Sequence, residues 1–130
     1  MPIYRVAFED ALLAYCEGMK VPDARPYILN ENAIRSAIGR PYHTILGADA
    51  FPTLHQKAAA LLDAMARAHG FSDGNKRTAV MLTLFMIRAS GYDLSPISRE
   101  KLDDVVVELL EGKRTMTSVA FWFHLVIDPG

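Results

Sequence analysis

Nine consecutive residues, His69-Gly70-Phe71-Ser72-Asp73-Gly74-Asn75-Lys76-Arg77, place a titratable base, a carboxylate, two glycines and two cations between two stretches free of Gly and Pro. His69 is of a residue type that can take a proton from an attacking hydroxyl. Asp73 can hold Mg²⁺ between phosphates, or orient His69 or a substrate. Gly74 permits φ > 0 and lets an anion approach main-chain N–H groups. Asn75 is placed to cap the helix that follows. The amides of Lys76, Arg77 and Thr78 are then among the unpaired donors of a first turn, at the positive end of the helix dipole. Lys76 adds a point charge for phosphate and Arg77 a bidentate fork. Phe71 reads as an anchor whose buried ring fixes where His69 and Asp73 point. The stretch reads as a phosphate cradle with a base beside it. Arg67, two residues before His69, is a secondary candidate for reaching a nucleotide or substrate, because an exposed helix Arg is the commoner case.

A lone His at a helix end is more often a C-terminal cap than a catalyst; the neighbours of His69 reverse that preference. His43, His55 and His124 have no such neighbours. No two histidines stand at the i, i+4 spacing of a helical metal site, and a single cysteine gives no expectation of structural zinc.

The elements that must position the loop are helical. Leu54 to Ala68 has an apolar stripe of Leu54, Ala58, Leu61, Leu62 and Met65 that delivers His69, with Pro52 suited to its first turn. Asn75 to Ser90 is apolar nearly all round, which predicts a central buried helix. Phe8 to Met19 carries Phe8, Leu12, Tyr15 and Met19 at helical spacing, with Ala11 and Leu13 beside them and Gly18 marking a frayed end. Pro22 and Pro26 make residues 21–29 an extended connector, and Asn30 caps a short helix that Arg40-Pro41 stops. Residues 42–51 read as an ordered loop near the site, a possible substrate-docking edge. Further helices are expected from a Ser98 cap to about Glu111, and from Val119 to Ile127 around Trp122 and Leu125 after a cap at Thr117 or Ser118. The sum is an all-α bundle of six helices with essentially no sheet.

Length and composition set the frame. The chain has 130 residues, 51% of them hydrophobic, enough for one domain over residues 1–130 and too few for two ordinary ones. A net charge of −1 gives no global case for nucleic acid or an anionic membrane. Locally, residues 67–77 hold three cations against one carboxylate. Cys16 is alone in a helical pattern and reads as a buried thiol, which fits a reducing cytoplasm. Glu9 and Asp10 interrupt the start where a signal peptide needs an apolar core. The longest apolar run, Ala79 to Ile87, is broken by Thr83 and is far short of the ~20 residues of a membrane span.

The stretch from His69 to Arg77 resembles the signature of the Fic/Doc family, and its Asn75-Lys76-Arg77 ending resembles the Doc (death on curing) toxin branch. The resemblance extends from about Phe8 to Ile127, through Asn32-Ala33-Ile34-Arg35-Ser36-Ala37-Ile38-Gly39-Arg40-Pro41 and Ser90-Gly91-Tyr92. It implies ATP held by Gly74, Asn75, Lys76 and Arg77, Mg²⁺ assisted by Asp73, and His69 activating a protein hydroxyl. For the Doc branch it implies a kinase: the γ-phosphate of ATP goes to a Thr of elongation factor Tu, which halts translation. It also implies a cytoplasmic toxin paired with a Phd-like antitoxin. AMP-transferring Fic enzymes have Gly where this chain has Lys76, and a further Arg where it has Val80. Fic-type AMP transfer is therefore the second reading, and a non-catalytic nucleotide- or anion-binding module the third. The self-restraining Ser/Thr-x-x-x-Glu-Gly/Asn helix of some Fic proteins is not visible, since Glu17-Gly18, Glu31-Asn32 and Glu111-Gly112 all lack the Ser or Thr.

Overall fold

The computed structural model describes residues 2–130. Six helices account for the architecture: α1 (Phe8–Met19), α2 (Glu31–Gly39), α3 (Leu54–Arg67), α4 (Asn75–Ala89), α5 (Pro96–Leu110) and α6 (Met116–Val126). The all-α expectation holds, and the only extended elements described are two small antiparallel pairs. β1 (Thr44–Ile45) and β2 (Ala48–Asp49) form a hairpin, and β3 (Tyr92–Leu94) pairs with β4 (Ile127–Pro129).

Helix starts are fixed by side chains that sequence reading placed a few residues late or early. Thr53 caps α3 in a reciprocal box: its side chain accepts from the Gln56 amide and its own amide donates to Gln56 Oε1. Pro52 therefore lies outside the helix and not in its first turn. Ser95, not Ser98, caps α5, because Pro96 already carries the helical φ of a first residue. Thr115 caps α6 by bonding the Ser118 amide, two or three residues ahead of the expected Thr117 or Ser118. The buried residues of α6 are accordingly Val119, Ala120 and Phe123, while Leu125 is exposed and Trp122 half-buried.

The centre is shared between α3 and α4. Every residue from Lys57 to Ala66 is buried, since a run of alanines lets α4, α6, α2 and α5 close on all sides. On α4, Thr78 to Val80, Leu82 to Leu84, Met86 and Ile87 are buried, and Phe85 breaks out to solvent. Lys57 is a charged residue inside this centre. Its Nζ donates to the Pro41 carbonyl at 3.1 Å and stands 3.6 Å from Asp49. The residue 42–51 loop is thus a hairpin tied to α3 by a buried cation, its turn made at Leu46 and Gly47, both at positive φ. Two smaller expectations fail. Leu13 is exposed because the buried stripe of α1 passes through Ala11, Leu12, Ala14 and Tyr15, and Cys16 is only half-buried, at the edge of a groove between α1 and α4.

Candidate active site

The loop between α3 and α4 is held from two sides. On one side the connector before α2 runs along it. The Gly70 carbonyl accepts from the amides of Leu29 (2.8 Å) and Asn30 (3.0 Å), the Ser72 amide donates to the Tyr27 carbonyl (2.9 Å), and Ile28 forms a bridge with Phe71. A Cβ on Gly70 would collide with the Ile34 side chain of α2, so the loop can lie this close only as glycine. The connector, read as merely extended, is a template for the loop and contains a 3₁₀ turn at Arg25–Tyr27.

On the other side one face of α1 meets the loop through Tyr15, Gly18 and Met19, the i, i+3, i+4 set of a helix face. The Tyr15 ring stacks on Phe71 with centroids 4.4 Å apart, and its hydroxyl donates to Asp73 Oδ1 at 2.9 Å. Both aromatic side chains are buried. Burial, reinforced by the Asp73 carboxylate, pushes the Tyr15 phenol up to about 12. Gly18 stands one residue before the end of α1, as expected, and has a second role: a Cβ there would stand 2.7 Å from Arg77 Cγ, so its absence gives the Arg77 stem a track across α1. The helix ends one residue later at Met19, with Lys20 left-handed at its cap. Met19 Sδ occupies the space next to Gly74, where a Cβ would lie 2.5 Å from it, and Gly74 also has φ +70°.

Three expectations for the loop are corrected. α3 ends at Arg67 with Ala68 as cap, so His69 lies beyond the helix in the left-handed region, φ 49°. A non-glycine residue in that region stores strain that the surrounding contacts must hold. Asn75 does not cap α4; Gly74 takes the cap position. The Asn75 side chain is instead a clamp: Oδ1 accepts from the Phe71 amide and Nδ2 donates to the Phe71 carbonyl, both at 3.0 Å. The Thr78 amide is not free, because it donates to the Gly74 carbonyl at 2.9 Å, as does its hydroxyl at 2.8 Å. The amides without a protein acceptor among the described residues are those of Asn75, Lys76 and Arg77.

The residues that carry these amides line a cavity of about 730 Å³, within the range that holds small-molecule ligands. Arg67, His69, Gly74, Asn75, Lys76 and Arg77 line it together with Ala66 and Leu110. Lys76 and Arg77 are exposed and form no ion pair among the described residues, so their charge is available to a ligand. Arg67 is partly committed. Its Nε contacts Asp63 Oδ1 at 2.7 Å and its Nη2 donates to the Leu109 carbonyl at 3.1 Å. The buried Asp63 also holds Arg40 through its other oxygen, at 3.3 Å. Asp73 stands outside the cavity lining and bonds Tyr15, not His69. Val80 is also outside it, buried in the core at 4% exposure.

Tyr15, Gly18, Met19 and Asp63 were not singled out as site residues by sequence reading. The helical spacing of Tyr15 and Met19 marked them as inward, but nothing in it said which loop they face.

A toxin Doc of Mycolicibacterium smegmatis is 36% identical over 86 residues, a match that covers 65% of this chain and 66% of that protein, just under two thirds of its length. Among the described residues no helix is long and apolar enough to cross a membrane. The sequence model of the Fic/DOC family matches residues 4–87, which takes in α1 to α3, the loop and most of α4, and the chain belongs to that family.

Proposed function

We propose that the chain is a toxin of the Doc type that transfers the γ-phosphate of ATP to a Ser or Thr hydroxyl of a protein, elongation factor Tu being the first candidate. The observation that carries this reading is the pairing of opposites in one cavity. His69 lines one part of it, and Asn75, Lys76 and Arg77, whose amides have no acceptor and whose two cations no ion pair among the described residues, line another. A base and an anion cradle in one cleft are what moving a proton off a hydroxyl and holding a phosphate require.

In this reading the substrate hydroxyl oxygen bonds to the γ-phosphorus, the bond to the β–γ bridging oxygen breaks, ADP leaves, and the hydroxyl proton passes to His69. The Asn75, Lys76 and Arg77 amides and the Lys76 and Arg77 side chains hold the phosphates. Bound Mg²⁺ would supply charge neutralisation between phosphate oxygens. Asp73, next to Gly74 of the lining though not itself in it, would hold the ion: the residue is exposed and only one of its carboxylate oxygens is engaged, by Tyr15. Lys76 fills the space that a Gly leaves open in AMP-transferring relatives, and Val80 puts no cation at the cavity, which favours phosphoryl over nucleotidyl transfer.

The toxin part rests on the similarity to the Doc protein and implies a Phd-like antitoxin partner and a cytoplasmic site of action. The test is the intact mass of elongation factor Tu after incubation with the protein and Mg-ATP. A gain of one phosphoryl group is expected; a gain of one nucleotidyl group, or an unchanged target in a system whose translation is arrested, overturns the reading.

A further inference from the structure

At the start of α3, the end away from His69, two histidines from distant parts of the chain meet. His55 stands in the first turn of α3 and His124 in the last turn of α6, with ring centroids 4.8 Å apart and planes inclined at 57°. They border a cavity of about 280 Å³ completed by Leu54, Tyr92 and Ile127, with no cationic side chain in its lining. His124 is exposed and His55 half-buried.

The separation fits chelation. A Zn²⁺-like ion lies about 2.1 Å from a ligating imidazole nitrogen, hence about 3.2 Å from the ring centre. Two such ligands at a right angle put their centroids about 4.5 Å apart, and at the tetrahedral angle about 5.2 Å. The observed 4.8 Å falls between these limits. A simple tilted aromatic contact has a similar spacing, and the experiment below separates the two.

We propose that His55 and His124 chelate a borderline divalent transition-metal ion, Zn²⁺ in the first instance, with water from the adjoining cavity completing its shell. Imidazole donors without carboxylate select such ions over Mg²⁺. With two protein ligands the ion is exchangeable, unlike the four-ligand structural sites. It would join the first turn of α3 to the last turn of α6, about 18 Å along the helix axis from Arg67 at the other end of α3, and so is independent of phosphate chemistry.

The test is a titration of the EDTA-treated full chain with ZnCl₂ in the presence of excess Mg²⁺. Saturable binding of one Zn²⁺ per chain is expected, weakened at least tenfold by His55→Ala or His124→Ala and unaffected by His43→Ala. Zn²⁺ should also raise the Tm of the wild-type protein but not that of His124→Ala. Because His124 is exposed, that variant folds and decides the question even if His55→Ala does not. Absence of saturable binding, or binding indifferent to His124→Ala, overturns the proposal and leaves the pair an aromatic contact only.

Discussion

The Tyr15 hydroxyl donates to Asp73 Oδ1 at 2.9 Å across 58 positions of sequence, while the same ring stacks on Phe71. One side chain of α1 thereby fixes both the buried anchor and the exposed carboxylate of the loop. Tyr15→Phe keeps the stacking and removes the hydrogen bond. It should cost about 1 kcal/mol of stability and lower kcat roughly tenfold through a misplaced Asp73, with the requirement for Mg²⁺ rising. Denaturant unfolding and a Mg²⁺ titration of activity check this; a variant with unchanged Mg²⁺ dependence would make the contact purely structural.

The same relationship sets a pH dependence. The folded-state pKa of Tyr15, about 12, lies above the ordinary value of 10.0. Its protonated form is therefore favoured by folding, and the contribution is complete below pH 10 and lost as pH rises through 10 to 12. Unfolding free energy measured across that window should fall more steeply for the wild type than for Tyr15→Phe. Parallel curves would contradict the assignment.

Gly74 carries two constraints at once, φ +70° and the sulfur of Met19 in the space that a Cβ would fill. Gly74→Ala should destabilise by about 1–2 kcal/mol from the backbone alone, with the steric contact added. In a Met19→Ala background the steric part should vanish and the backbone part remain. A double-mutant cycle in urea reads the difference, and strict additivity would exclude the contact.

Asp63 is the buried carboxylate on which Arg67 and Arg40 converge. Asp63→Asn should cost about 1–3 kcal/mol and release Arg67 from its position on the cavity wall. The expected signature is a raised KM for ATP with a smaller change in kcat. A variant that loses stability alone would show that Arg67 serves the fold and not the ligand.

Much of this arrangement was legible in the chain, for reasons that can be stated residue by residue. The apolar stripes of α1 to α6 announced six helices because burial on one face imposes a 3.6-residue period. The loop announced itself because its base, carboxylate, glycines and cations are contiguous. Local rules failed where two of them competed. Pro52 and Thr53 both signal a helix start, and only the Gln56 box decides for Thr53. Asn75 is a good cap by type, but its side chain is used by the Phe71 backbone and the role passes to Gly74. What could not be read was anything that depends on distant segments meeting: Tyr15 on Asp73, Met19 on Gly74, the connector on the loop, and His55 on His124.

In the proposed reaction His69 removes the proton from a hydroxyl that takes the γ-phosphate held by Asn75, Lys76 and Arg77. The most direct test follows label from γ- or α-labelled ATP into elongation factor Tu, for the wild type and His69→Ala, with ATP binding measured alongside. Transfer is expected from the γ position only, abolished in His69→Ala while binding persists, because the base acts in the chemical step more than in affinity. Transfer from the α position, or a fully active His69→Ala protein, would contradict it.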